Sequence, residues 1–199
     1  MRITPIIEHL KAECPQFEGR IAGGLDWDPV AGAQQLAAPA AFVIPVGDDA
    51  EEPMAQNAAA QAVRDSFDVC VVLDNADERG QAAADLVHAV RATLCRALMG
   101  LQVDKDTDPI CYDRGDLILM DRAKVVYGYR FYAYTQLGHL GPLASDDPET
   151  WQDLEQSRLG RLEGYNLNVD FIDPMVDQNL KPTGPDGRIE IETRKDLPR

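Results

Sequence analysis

The sequence predicts an α+β fold, and three stretches of the chain support this prediction. Residues 115–137 contain alternating β-branched and aromatic residues, as expected for an antiparallel hairpin with one buried face. Residues 62–73 predict a second strong strand, and residues 81–99 have the apolar spacing of an amphipathic helix. A chain of 199 residues, 45% of them hydrophobic, can bury the core of one domain, or of one domain with an appendage.

The N-terminal region predicts one short helix followed by a weak strand. Residues 4–13 begin with Thr4, a residue type that caps helices, and continue with a proline, which suits the first helical position. The Cys-Pro step at 14–15 ends the helix, because the residue before a proline resists helical geometry. Residues 17–25 predict a weak strand that is interrupted by glycines.

A short strand and an acidic segment come next. Residues 42–46 predict a strand at a sheet edge or near a strand end, because Pro45 cannot donate a ladder hydrogen bond. Residues 47–57 are acidic and contain proline, which predicts a mobile, exposed loop that becomes ordered against partner proteins. The candidate interface residues of this segment are Asp48, Asp49, Glu51 and Glu52.

The strongest strand and the best helix of the chain lie in the middle of the sequence. One face of the strand at 62–73 is apolar and consists of Phe67, Val69, Val71 and Leu73. The helix at 81–99 has apolar residues at spacings of three and four, namely Ala83, Leu86, Val87, Val90, Leu94, Ala97 and Leu98. Gly100 is the expected C-terminal cap.

The hairpin at 115–137 is predicted to have a short first strand at 117–120 and a long aromatic second strand. The Asp-Arg pair at 121–122 is a poor tight turn, which favours a loop wider than two residues. One face of the second strand holds Val125, Tyr127, Tyr129, Phe131 and Ala133. This face is expected to cover the apolar residues of the helix at 81–99. The other face holds Val126, Gly128 and the candidate interface residues Arg130, Tyr132 and Tyr134.

Residues 138–149 shift abruptly to Gly, Pro and acids, which predicts a core domain at 1–141 and a C-terminal extension at 142–199. The extension contains a predicted short helix at 148–160. Its two predicted strands, 162–172 and 189–192, pair as a long-looped hairpin that is too small to be stable alone. Its candidate contact residues, for the core, another subunit or another protein, are Tyr165 and Phe171.

Charge and composition exclude several classes of function. The net charge of −15 is spread along the chain without a basic arm, which argues against groove-reading of nucleic acid. Such a negative charge is expected either of a soluble protein surface or of a surface that must not bind DNA passing close to it. No apolar run reaches the ~20 residues of a membrane span, and the N-terminus does not resemble a signal peptide. We therefore expect a protein made in the cytoplasm.

The residue spacing gives little support for catalysis or metal binding. The four cysteines lack CxxC spacing, which predicts free thiols, and the three histidines form no ligand pair. A cleft beside the hairpin, lined by His88, Cys95 or the tyrosines, remains the alternative of a small enzyme or ligand-binding protein. The tyrosines could also stack on bases, but with only Lys124 and Arg130 nearby for phosphates, a core or interface role is favoured.

Residues 67–102, FDVCVVLDNADERGQAAADLVHAVRATLCRALMGLQ, followed by the hairpin, resemble the tail terminator proteins of long-tailed bacteriophages, including relatives encoded by Mu-like prophages. The shared features are a valine-rich strand, an Asn-Ala-Asp turn, an Ala-rich helix that closes on Leu-Met-Gly, and a final aromatic strand. The resemblance covers residues 1 to about 140. It does not cover the C-terminal extension.

This resemblance implies a mostly antiparallel β-sheet with helices packed on one face, and a structural protein without cofactor, metal or catalytic site. It implies a homohexameric ring at the head-proximal end of the tail tube, in the virion, after assembly in the host cytoplasm. The expected partners are the major tail tube protein and a head-completion (stopper) protein, with DNA passing through the lumen without specific binding. Another head–tail connector or tail-completion protein of related fold is the alternative.

Overall fold

The computed structural model describes residues 1–25, 37–56, 59–75, 81–140, 148–159, 163–169, 189 and 191–197. The chain divides into two units, Met1–Leu154 and Glu155–Arg199. No helix in the described part of the chain is both long and apolar enough to cross a membrane.

The first unit is built on a five-stranded sheet in the order β1-β2-β3-β5-β4. Its strands are β1 (Ile21–Gly23), β2 (Ala40–Ala50), β3 (Gln61–Asp74), β4 (Cys111–Met120) and β5 (Lys124–Leu137). Neighbouring strands are antiparallel except β1 and β2, which run parallel. The predicted α+β fold with a mostly antiparallel sheet is confirmed.

Three α-helices lie in the described ranges: α1 (Thr4–Glu13), α2 (Gln81–Leu98) and α3 (Trp151–Ser157). The bounds predicted for α1 are confirmed, but the predicted cap is wrong. Ile3 occupies the cap position without a side-chain hydrogen bond, and Thr4 is the first helical residue. The helix ends at Cys14 as predicted, with the Cys14 N–H donating to the Leu10 carbonyl at 2.9 Å.

Strand β2 is longer than predicted, because the acidic residues after Pro45 pair with β3. Gly47 to Ala50 lie opposite Ser66 to Val63, so the prediction of a loop beginning at Gly47 is wrong for these four residues. The register shifts between Pro45 and Gly47, where a bulge accommodates the proline. Strand β1 pairs only with Ala41–Val43, so Pro45 lies where β2 has no second neighbour in the described part of the sheet.

Strand β4 begins at Cys111, six residues before the predicted start at 117. Two register shifts, after Tyr112 and after Leu117, interrupt its alternation and explain why the sequence pattern did not reveal it. The loop to β5 is wider than two residues, as predicted. It is closed by the Asp121 carboxylate, which accepts hydrogen bonds from the backbone N–H groups of Ala123 and Lys124, both at 2.7 Å.

The core lies between one face of the sheet and helices α1 and α2. Its buried residues include the predicted apolar face of β3, the tyrosine and phenylalanine of β5 that face the helix, and the stripe of α2; they are Phe67, Val69, Val71, Leu73, Tyr129, Phe131, Val90, Leu94 and Leu98. Leu86 does not belong to this stripe and is 47% exposed. Gly100 follows α2 with φ of 85°, the left-handed conformation expected of a C-terminal cap, and its N–H donates to the Ile110 carbonyl at 2.9 Å rather than to a carbonyl of α2.

The second unit contains a two-stranded antiparallel sheet of β6 (Gly164–Val169) and β7 (Ile191–Asp196). The predicted C-terminal hairpin is therefore confirmed, with β7 beginning later than the predicted residue 189. Tyr165, Leu167 and Val169 of β6 lie opposite Lys195, Thr193 and Ile191 of β7. Phe171 lies outside the described residues.

Candidate assembly surfaces

The face of the sheet opposite the helices carries the candidate residue Arg130. Its guanidinium donates two hydrogen bonds to Asp68 of β3, from Nε at 2.8 Å and from Nη2 at 2.9 Å. Hydrogen bonding to Asp68 raises the pKa of Arg130. The charge of Arg130 is thus neutralised within the subunit, and the pair links β5 to β3.

Arg64 organises the neighbouring part of the same face. Its guanidinium lies 4.0 Å from the centre of the Tyr132 ring and 3.0 Å from the Asp113 carboxylate on β4. The rings of Tyr132 and Tyr134 meet edge to face with centroids 5.8 Å apart. Side chains from β3, β4 and β5 therefore form one contiguous polar and aromatic surface.

Tyr134 extends this surface toward the acidic segment. A hydrogen bond to Glu51 raises the pKa of Tyr134. The structure thus places the candidate residues Arg130, Tyr132 and Tyr134 on one face, with Glu51 close to its end. Whether this face contacts another protein stays a prediction.

Residues 47–52, which we call the acidic edge, lie on the side of β3 that faces away from β5. Asp48 pairs in register with Asp65, and Asp49 pairs with Arg64. Strand β1 pairs only with Ala41–Val43. In the described part of the sheet, residues 47–50 of β2 therefore have a strand neighbour, β3, on one side only. The carboxylates of the acidic edge are exposed; they belong to Asp48, Asp49, Glu51 and Glu52.

Strand β4 forms the opposite edge of the sheet and exposes apolar side chains. Leu117 is 57% exposed and Met120 is 46% exposed, and both lie on the helix side of the sheet, opposite Tyr127 and Val125. This edge is not among the surfaces predicted from the sequence. The signal for it was the unbroken apolar run Leu-Ile-Leu-Met at 117–120, which lacks the alternation of a strand with one buried face.

A cationic side chain of α2 lies over the β4 edge. The exposed Arg91 approaches Tyr112 of β4 closely enough to lower that phenol's pKa, although burial dominates and the net shift is upward. Its Nη2 lies 3.2 Å from Nδ1 of His88. Arg91, Leu117 and Met120 thus belong to one surface, which we call the β4 surface.

Burial disfavours the thiolate form of two cysteines in the first unit. Burial raises the pKa of Cys95, and it raises the pKa of Cys70 to about 12, so both thiols stay protonated at neutral pH. His88 is exposed on α2. All four cysteines are free, as predicted.

Tyr129 does not contribute to a base-stacking surface. It is fully buried, and its hydroxyl donates to the Val87 carbonyl at 2.7 Å. The preference for a core role is thus confirmed for this residue.

In the described ranges, no three histidine, cysteine or acidic side chains converge as a metal site would require. Asp104, in the loop between α2 and β4, forms an ion pair with Arg2, which lowers the pKa of its carboxyl.

The hairpin of the second unit exposes one apolar face. Tyr165 is 47% exposed, Leu167 51% and Ile191 45%. A two-stranded ribbon with such a face is marginally stable in water unless it packs on something. Tyr165 is therefore exposed on the hairpin, as expected of a contact residue, and the contact itself stays a prediction.

Comparison with known protein families assigns the first unit. Residues 1–139 match the family described as "Phage tail terminator protein". The chain belongs to the phage tail terminator family. The resemblance carried by the 67–102 segment and the hairpin is thereby confirmed. This tail terminator family protein is a structural protein of the phage tail and is located in the virion.

Among solved structures, the tail terminator family protein is similar to a chain of the "Virion of native gene transfer agent (GTA) particle". The TM-score is 0.43 and the sequence identity is 16%, with 66% of this chain and 91% of that chain covered. The search of curated proteins gave no match.

Proposed function

We propose that this chain forms a homohexameric ring at the head-proximal end of the phage tail tube. The ring stops tube polymerisation and joins the tail to the head-completion proteins. The observation that carries this proposal is the family match at 1–139, which spans α1, α2 and the whole five-stranded sheet. The match therefore concerns the folded core rather than one local motif.

The arrangement of the sheet supports a ring. A closed ring with heterologous contacts needs two different complementary surfaces on every subunit. The strand order β1-β2-β3-β5-β4 places the acidic edge and the β4 surface on opposite sides of β3 and β5. One subunit can therefore meet two neighbours at once.

The charge of the chain supports passage of DNA without specific binding. Its 34 acidic residues exceed its 19 basic residues, which gives a net charge of −15. In a ring around a DNA conduit, carboxylates that face the lumen repel phosphates and keep the duplex from adhering.

The C-terminal extension is proposed to contact neighbouring subunits or the head-completion protein. The family match covers residues 1–139, so the predicted extension at 142–199 lies beyond it. The exposed apolar face of the β6–β7 hairpin, which includes Tyr165 and Leu167, is the surface proposed for this contact.

The test is to assemble phage particles with and without this chain. Without it, we expect tail tubes that exceed the normal length and fail to join heads, and normal tails when the chain is supplied in trans. Cryo-electron microscopy of complete particles should then place six copies at the neck end of the tail. Tubes of normal length that merely lack heads would favour another head–tail connector, and a location elsewhere in the virion would overturn the proposal.

A further inference from the structure

We infer that adjacent copies of this chain contact each other through opposite edges of the sheet, the acidic edge of one copy lying against the β4 surface of the next. This inference rests on the proposed ring and names its subunit interface. It is carried by strand topology, by charge and by apolar complementarity.

The strand directions allow the sheets of two copies to continue into one another. Strand β3 is antiparallel to both β2 and β5, and β5 is antiparallel to β4, so β2 and β4 run in opposite directions. Placing the acidic edge of one copy beside β4 of the next therefore creates an antiparallel neighbour pair. The helices of both copies stay on the same side of the extended sheet, as repeated heterologous contacts require.

On the helix side, the two edges are complementary in charge. The β4 surface presents the exposed guanidinium of Arg91, and the acidic edge presents the exposed carboxylate of Asp48. Asp48 lies on the helix side because it pairs in register with Asp65, which shares a face of β3 with the buried Phe67. The Asp48 carboxylate of one copy can therefore pair with the Arg91 guanidinium of the next.

The helix side also offers an apolar fit. A cavity of about 220 Å³ adjoins the acidic edge. Ile3, Pro45 and Phe67 form its apolar part, and the rest of its lining includes Asp48 and the ion pair between the Met1 amine and Asp65. Leu117 and Met120 of the β4 surface are exposed on the corresponding side of the other edge. An aliphatic side chain of one copy can thus enter the cavity of its neighbour, in the manner of an interface anchor.

The opposite face of the sheet repeats the charge complementarity. Arg114 of β4 is 59% exposed and lies on the same face as Arg130. Asp49 of the acidic edge pairs in register with Arg64 and faces that same side. In the free subunit, Nε of Arg114 lies 3.1 Å from the carboxylate of Asp116 on the same strand. In the assembled pair, the Asp49 carboxylate of the neighbouring copy would approach the same guanidinium.

Features of both edges disfavour indiscriminate strand pairing. Pro45 provides no N–H, and register shifts interrupt β2 after Pro45 and β4 after Tyr112 and Leu117. Such bulges and prolines protect open edges from aggregation. Side-chain complementarity would therefore select the correct neighbour.

The test is a charge-reversal cycle on the full chain. Asp48→Lys and Arg91→Glu are made singly and together, and Arg96→Glu is the matched control, an exposed arginine on the same helix. Each protein is added to tail tubes assembled without this chain, and rings at tube ends are counted by electron microscopy over a concentration series. Thermal melting of each variant confirms that the subunit is folded.

We expect each single reversal to raise the concentration needed for rings by about tenfold or more, the double reversal to recover most of that loss, and Arg96→Glu to match the parent. Single reversals that behave like Arg96→Glu would overturn the inference, as would a double reversal without recovery in folded proteins. In either case a parent protein that forms rings keeps the proposed function intact. A parent that forms no ring at tube ends would overturn the ring itself.

Discussion

The guanidinium of Arg130 on β5 and the carboxylate of Asp68 on β3 form a two-pronged ion pair, with donor–acceptor distances of 2.8 and 2.9 Å. Both side chains are mostly covered, at 24% and 19% exposure. Removing one partner of such a pair costs more than breaking a solvated ion pair, because the remaining charge then lies unpaired in a poorly hydrated site. Arg130 therefore stabilises the subunit whether or not it also contacts a neighbour.

We expect Asp68→Ala to lower the free energy of unfolding by about 1–3 kcal/mol, because it leaves the Arg130 guanidinium without its partner. Urea unfolding followed by circular dichroism measures this loss. The matched control is Asp116→Ala, which removes an ion pair to Arg114 that is 59% and 66% exposed and should cost less than about 1 kcal/mol. Equal losses for the two variants would contradict the stabilising role of the Arg130 pair.

Gly138 and Gly19 provide a matched pair of glycine substitutions, because both have φ of 74°. A Cβ atom on Gly138 would lie 2.1 Å from the Ala59 carbonyl oxygen, whereas one on Gly19 would meet nothing within 4 Å. We expect Gly19→Ala to cost about 1 kcal/mol from backbone strain alone, and Gly138→Ala to cost several kcal/mol more because backbone must move. Thermal unfolding compares them. Similar losses would show that the strand ends at Gly138 and Ala59 relax easily.

The faces of β3 and β5 could be predicted from the sequence because both strands keep an unbroken period of two. The acidic half of β2 could not, since its strand geometry depends on backbone pairing with Val63 to Ser66, which lie 13 to 19 residues further along the chain than their partners. The same limit applies to β4. Its two bulges shift the alternation, so Asp113 and Arg114 appear as loop residues in a pattern-based reading.

The candidate surface was predictable only in part, for a related reason. Alternation along β5 places Arg130, Tyr132 and Tyr134 on one face, and the structure agrees. Their partners Asp68 and Arg64 follow from the register between β3 and β5, which the sequence does not specify. The β4 surface was missed because Arg91 and the apolar run at 117–120 approach each other only through the fold.

Acid stability should depend on Asp153, which is buried at the start of α3. Burial favours a raised pKa. The ring nitrogen Nδ1 of His139, 3.1 Å from the carboxylate, and hydrogen bonds from Thr150 outweigh this effect and hold the pKa of Asp153 below its usual value. A carboxylate with a lowered folded-state pKa stabilises the fold above its unfolded pKa of about 4, and this contribution is lost as the pH falls further.

We therefore expect Asp153→Asn to lower the urea midpoint at pH 7 and to flatten its decline between about pH 5 and pH 3. The matched control is Asp106→Asn, at an exposed loop carboxylate of the same unit. Urea midpoints measured across this range compare the two variants with the parent. An Asp153→Asn profile as steep as that of the parent would show that other carboxylates govern acid unfolding.

Truncation after Leu154 and truncation after Leu143 should differ in stability. Between these points, Glu149 accepts from the Gly138 N–H at 2.7 Å and Gln152 accepts from the Ala59 N–H at 2.6 Å. Losing both contacts should make the 1–143 fragment less stable than the 1–154 fragment by about 1–3 kcal/mol, although its sheet and helices α1 and α2 remain. Urea unfolding of both fragments measures this. Equal midpoints would place the end of the folded core before residue 143.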